Sequence, residues 1–155
     1  MFVYHRLTSL TGRVHMAESI QIGPIVLRFL HSRHDTNGSL DMFEMDVAEN
    51  GRMPVPHLHR NWDETIYGLR GTLMFDVGGE PITLTSGETL FIPRGTVHGF
   101  ENRSGTLATC LCVLTPGVLG AEYFRELSAV VAAGKPDPKA LREIMLRHGL
   151  VPVVT

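Results

Sequence analysis

His57 and His59 are separated by one residue. On an extended segment, positions i and i+2 share a face and lie about 6.6 Å apart along the strand. Imidazoles reaching from two such positions can converge on one metal ion, at about 2.0–2.1 Å for a Zn–N bond. Glu64 follows five positions after His59, across Asn61-Trp62-Asp63, a gap that suits a turn returning a carboxylate to the same point. A third imidazole, His98, comes more than 30 residues later, just after the turn Pro93-Arg94-Gly95. Three imidazoles and one carboxylate form a borderline-soft donor set. It suits Fe, Mn, Ni, Cu, Co or Zn and matches Ca or Mg poorly. Taken alone, the H-x-H pair has a competing and commoner reading as a solvated loop pair, in a chain with eight histidines.

Elements that could position these residues are short and β-like. Runs with strand texture cover residues 25–30, 40–47, 65–69, 72–77, 82–85, 89–92, 97–100 and 107–114. Turn signals separate them at Asp35-Thr36-Asn37-Gly38, Asn50-Gly51, Gly78-Gly79 and Ser86-Gly87. Short strands every 8–12 residues or so predict a sandwich or barrel, with no helices between them to build a parallel sheet. The texture changes at Pro116-Gly117. Residues 118–133 place Leu119, Tyr123, Phe124, Leu127, Val130 and Val131 at helical spacing, with Gly134 as a C-terminal cap. A second helix begins with Asp137 as N-cap and Pro138 at its first position, and ends at His148-Gly149. Both helices are expected on the barrel's outside or at a subunit interface, without a reactive constellation of their own.

The two site segments resemble a known family. Residues 51–71, GRMPVPHLHRNWDETIYGLRG, follow the first cupin motif: Gly, five residues, His-x-His, four residues, Glu, six residues, Gly. Residues 87–102, GETLFIPRGTVHGFEN, follow the second: Gly, five residues, Pro-x-Gly, two residues, His, three residues, Asn. All ten specified positions agree, which chance would produce at a given placement with a probability on the order of 10⁻¹⁰. The resemblance implies a double-stranded β-helix, the jelly-roll barrel, with one divalent transition metal inside it. The implied ligands are His57, His59, Glu64 and His98, and Glu64 could also serve as a general base. Gly51, Gly71, Gly87 and Gly95 are read as structural, at turns or close approaches. Asn102 is expected to satisfy a turn.

The implied architecture is all-β with two C-terminal helices: a leader without fixed structure over residues 1–18, the barrel over 19–115, and a helical extension over 116–155. Met16-Ala17-Glu18 looks like a second start and prompts the leader reading. Ile66 shares strand parity with Glu64, and Phe100 shares it with His98; both are candidate pocket residues. Phe75 and Phe91 are expected on the same wall. Trp62 either shields the metal or packs. Cys110 and Cys112, the two cysteines, are read as buried core residues in preference to redox or metal groups. His5, His15, His31, His34 and His148 lack partners at ligand spacing and are expected to be solvated.

Composition narrows the function classes. The chain has 155 residues, 43% apolar and 19% charged, with a net charge of -2. That is one domain of ordinary globular composition. Basic residues are scattered, so nucleic acid is not an expected partner. No segment has the length of a membrane span or the apolar core of a signal peptide. A cytoplasmic location and a homodimer are expected. An apolar wall beside a first-row metal points to an oxygenase of a small aromatic or enolic compound, similar to quercetin dioxygenase-like small cupins. The alternatives are a metal-dependent isomerase, epimerase or lyase of a sugar or keto acid, favoured if Arg or Lys line the pocket, and a non-enzymatic binding cupin. Arg52, Arg60, Arg70 and Arg94 flank the motifs.

Overall fold

The computed structural model describes residues 14–153. Most of the expected leader lies outside the described residues, and Glu18 already belongs to the first strand. Ten strands come first: β1 (Glu18–Ile22), β2 (Ile25–His31), β3 (Asp41–Val47), β4 (His57–His59), β5 (Asp63–Arg70), β6 (Thr72–Val77), β7 (Glu80–Thr85), β8 (Thr89–Ile92), β9 (His98–Glu101) and β10 (Ala108–Thr115). Then follow α1 (Glu122–Ala132), α2 (Pro138–Arg147) and a last strand, β11 (Leu150–Pro152).

The strands form two antiparallel sheets, ordered β1-β2-β3-β10-β5-β8 and β11-β4-β9-β6-β7. The protein is therefore mostly β, with the two facing sheets of a cupin fold and two C-terminal helices. The cause is strict alternation. On β3, Asp41, Phe43, Met45 and Val47 face inward, and on β10 so do Ala108, Cys110, Cys112 and Leu114. Burying each larger apolar side chain contributes about 1.5–3 kcal/mol, and a register slip of one residue would turn the whole set outward. The two thiols are free, buried, and 3.8 Å apart in this core, as their packing reading anticipates.

Glycines allow the corners. Gly71 joins β5 to β6 at a φ of 71°, and a Cβ there would meet the Leu107 carbonyl oxygen at 2.6 Å. Gly51 has ordinary φ, but a Cβ would lie 2.8 Å from Val47 Cγ1. Asn102 is fully buried; its amide donates to the Val47 and Thr106 carbonyls, and its side-chain oxygen accepts from the Ser104 backbone.

The second helix starts as the sequence predicts, with Asp137 accepting from the Lys139 N–H and Pro138 at the first position. The first starts at Glu122, later than position 118. Residues 118–121 are instead tied to Asp41, whose buried carboxylate accepts from the backbone of Arg33, Leu119 and Gly120 at 2.6, 3.1 and 3.0 Å. A backbone fixed by an outside acceptor has no need of helical hydrogen bonds. β1, β4 and β11 are additions to the strand runs read from the sequence, which treated the segment of β4 only as extended. Among the described residues no helix is long and apolar enough to cross a membrane.

Candidate metal centre

His57 and His59 sit two apart on β4, on its buried face. His57 lies directly across from His98 of β9, and Glu64 is at the start of β5, facing inward. The Gly95 turn brings β9 into place: the Gly95 N–H donates to the His59 carbonyl at 2.8 Å, with φ at 81°. Arg94 locks the same turn to β5 through Asp63, with side-chain contacts of 3.0 and 2.9 Å.

The result is a buried three-histidine cluster. Ligand nitrogens of His57, His59 and His98 all lie within 4.8 Å of one another. Nε2 of His57 and Nε2 of His59 are 3.2 Å apart. Two nitrogens bound to one ion at about 2.0–2.1 Å would be separated by about 2.9–3.4 Å, depending on coordination geometry. A Glu64 carboxylate oxygen is 3.4 Å from His98 Nε2 and 4.0 Å from His59 Nε2.

Tautomers sharpen the fit. His57 Nδ1 donates to the Val55 carbonyl at 3.1 Å, and His98 Nδ1 donates to the Thr96 carbonyl at 3.0 Å. A carbonyl only accepts, so in the neutral rings both Nε2 atoms carry lone pairs. A proton on His59 Nε2 can serve His57. His98 Nε2 remains buried without a well-aligned hydrogen bond. An orphaned lone pair beside two further imidazoles and a carboxylate is the environment that a divalent cation satisfies. The donor set therefore fits a borderline transition metal and does not single one out.

Electrostatics agree. Burial lowers His57 to about 3, helped by His98 and His59, and lowers His59 to about 4 against the pull of Glu64. Both are neutral, ligand-ready rings at physiological pH. Burial opposes charge on His98, but Glu64 outweighs it and raises that imidazole. Burial also acts to raise the Glu64 carboxyl; His98, His59 and His57 together outweigh it and hold the group below the usual carboxylate range.

Among the described residues His59 has no backbone carbonyl steadying its other nitrogen. Its ring stacks on Trp62 instead, with centroids 4.6 Å apart and planes 22° apart. Trp62 is 1% exposed, so both readings offered for it, shielding and packing, describe the same contact.

The cluster opens into a cavity of about 110 Å³. Ile66, Phe75 and Phe100 line it. Phe91 does not: it is 58% exposed, because Leu90 and Ile92 take the inward positions of β8. Among the described residues no Arg or Lys lines the cavity. The expectation for the helices also needs correcting. Tyr123, Phe124 and Leu127 of α1, with Leu141 and Met145 of α2, form part of the cavity wall. Their apolar stripes read as packing surface, and the sequence carries no signal that separates packing from lining. His148, expected to be solvated, is half-buried and pairs with Glu126 at 3.1 Å. His34 pairs with Glu122, and His31 is half-buried beside His15. His5 lies outside the described residues.

Comparison with known proteins points the same way. Residues 43–114 match the Cupin_2 family, described as a cupin domain. The tetracenomycin polyketide synthase protein TcmJ of Streptomyces glaucescens is 32% identical over 81 residues, covering 52% of this chain and 52% of that protein. Quercetin 2,3-dioxygenase of Bacillus subtilis is 29% identical over 100 residues, covering 64% of this chain and 29% of the other. The chain thus spans about half, or less, of these curated relatives. Among solved structures, the polyketide cyclase RemF of Streptomyces resistomycificus is 28% identical with a TM-score of 0.59, covering 68% of this chain and 79% of that one.

Proposed function

Because the chain carries a cupin domain, we propose that it is a metal-dependent oxygenase of a small aromatic or enolic compound, with the ion held by His57, His59, His98 and Glu64. The observation that carries this reading is the orphaned His98 Nε2 within a three-imidazole cluster, open to a cavity with an otherwise largely apolar wall. A bound first-row metal would supply Lewis acidity toward an enolate oxygen and electron transfer to O₂.

The chain's own residues would do the rest. Glu64, held ionised by its imidazole neighbours, would accept the proton of an enol or phenol hydroxyl at a carboxylate oxygen. Ile66, Phe75 and Phe100 would hold the ring and exclude water. A cavity on the order of 150 Å³ accommodates benzene. At about 110 Å³ this one suits a single small ring rather than a three-ring flavonol. Among the described residues no Arg or Lys lines the wall, which disfavours phosphosugars, whose phosphate would need a cation away from the metal.

The test is O₂ uptake by the metal-loaded protein over a panel of catechols, hydroxypyranones and small diketones. Uptake with stoichiometric product is expected for at least one. No uptake with any compound, in protein whose metal content is verified, would end the oxygenase reading. A second reading is a Lewis-acid cyclase, favoured by the similarity to RemF. It requires turnover that persists without O₂.

A further inference from the structure

The polar side chains of the cavity are gathered in one place. His57, His59, His98 and Glu64 form one cluster, and every other lining side chain among the described residues is apolar except Tyr123. Where the lining reaches solvent it stays apolar. Met53, Val55, Phe100, Phe124 and Leu141 line the cavity and are half-buried, and Pro54 lines it and is exposed.

Three of these, Met53, Pro54 and Val55, are consecutive and lead into β4. The Met53 N–H donates to the Phe100 carbonyl at 2.9 Å, which ties this edge to β9. The same segment reaches the metal cluster, because the Val55 carbonyl accepts from His57 Nδ1 at 3.1 Å. Four residues of extended chain span at most about 14 Å, so Met53 and His57 stand no farther apart than that. One short wall therefore runs from the imidazoles to solvent without a polar side chain. Exposed apolar surface continuous with a cavity is the mark of a surface that a ligand covers. Met53 adds an unbranched, flexible thioether that repacks around apolar groups of different length.

Volume sets what passes over this edge. A cavity of about 110 Å³ is filled by one small ring, so a substituent on that ring has to leave through the part of the lining that meets solvent.

We propose that the ligand is an enolic ring carrying a short alkyl chain on the side remote from its enol oxygens, and that the chain leaves the cavity over Met53, Pro54, Val55 and Phe100. The inference rests on the reading above, in which those enol oxygens face His57, His59, His98 and Glu64. It adds the substituent and the residues that select it.

A homologous series tests it. Allomaltol carries a methyl group on the ring carbon remote from its enolone. Its ethyl and propyl homologues lengthen that chain, and kojic acid has a hydroxymethyl group there, close to ethyl in size. Affinities are measured by calorimetry on Zn(II)-loaded wild type. The expected gain is about threefold to fourfold for each added methylene. Kojic acid should bind more weakly than the ethyl homologue, since a hydroxyl gains nothing from an apolar edge. In Met53→Gln, similar in length but polar at its tip, the gain per methylene should fall; it is a ratio within the variant, so a uniform loss of affinity cancels. The wild-type series decides the alkyl chain whether or not that variant folds. Affinity that is flat or falling from methyl to propyl, or kojic acid matching the ethyl homologue, overturns the alkyl chain and leaves the enolone reading standing. An undiminished gain per methylene in folded Met53→Gln overturns the route over this edge. Binding of no probe by metal-loaded wild type overturns the enolone reading, and this inference with it.

Discussion

Replacing Trp62 separates packing from metal positioning. Trp62 is the largest of the fully buried side chains, and truncating a buried Trp to Ala typically costs about 3–5 kcal/mol. Against a total stability of roughly 5–15 kcal/mol for a domain, Trp62→Ala should leave a marginal fold. Trp62→Phe is milder for two reasons. It keeps an aromatic ring against His59, and it removes a buried indole Nε1–H that has no hydrogen-bond partner. That unmet donor carries a penalty of about 1–3 kcal/mol, which offsets part of the lost packing. The expected cost of Trp62→Phe is thus under about 2 kcal/mol. Trp62→Leu tests the stack: an aromatic pair is worth about 0.5–1.5 kcal/mol beyond its burial, so Zn(II) affinity should fall by roughly twofold to tenfold relative to Trp62→Phe. Urea unfolding followed by circular dichroism gives the stabilities, and competition with a chromophoric chelator gives the affinities. If Trp62→Leu binds Zn(II) as tightly as Trp62→Phe, His59 is not held by the stack. If Trp62→Ala loses less than about 1 kcal/mol, the packing argument is wrong as well.

Acid should weaken the metal-free protein early. His57 and His59 resist protonation when folded down to about 3 and 4, whereas an unfolded histidine takes its proton near 6.5. Their folded pKa values are depressed, so the stability is present above about 6.5 and is lost as pH falls from there toward the folded values. The pair loses about 4 kcal/mol by pH 5, offset in part by His98, whose raised pKa works in the opposite direction. Denaturant melts at pH 7.5 and 5.0 measure this, and equal midpoints would contradict it. Asp41→Ala removes the acceptor for three backbone N–H groups at the approach to α1 and should cost about 2–4 kcal/mol in thermal or urea melts. A loss below about 0.5 kcal/mol would mean that the segment leading into α1 is held by something else.

The site was legible in the sequence because its signal is local and periodic. His57 and His59 declare a shared strand face by their spacing, and Glu64 and Ile66 declare another by the same parity. The alternation on β3 and β10 marks the core for the same reason. Where the signal depends on distant partners, sequence reading stops. The three residues of β11 include a proline and acquire strand character only by pairing with β4. Phe91 looks like wall material by type, and only its edge-strand neighbours Leu90 and Ile92 decide that it faces solvent. Tyr123 presents the same helical stripe whether it packs or lines a cavity, so only the placement of α1 against the barrel decides which it does.

That last short strand has a consequence for how the protein is made. In the register of β11 on β4, Leu150 faces His59 and Pro152 faces His57. The other neighbour of β4 is β9, matched to it at the single pair His57–His98. A nascent chain synthesised only as far as α2 already contains both histidine motifs, but β4 still lacks its longer partner. Were His57 and His59 to hold the proposed ion, β4 would have both of its neighbours to align them only once Leu150–Pro152 had been made.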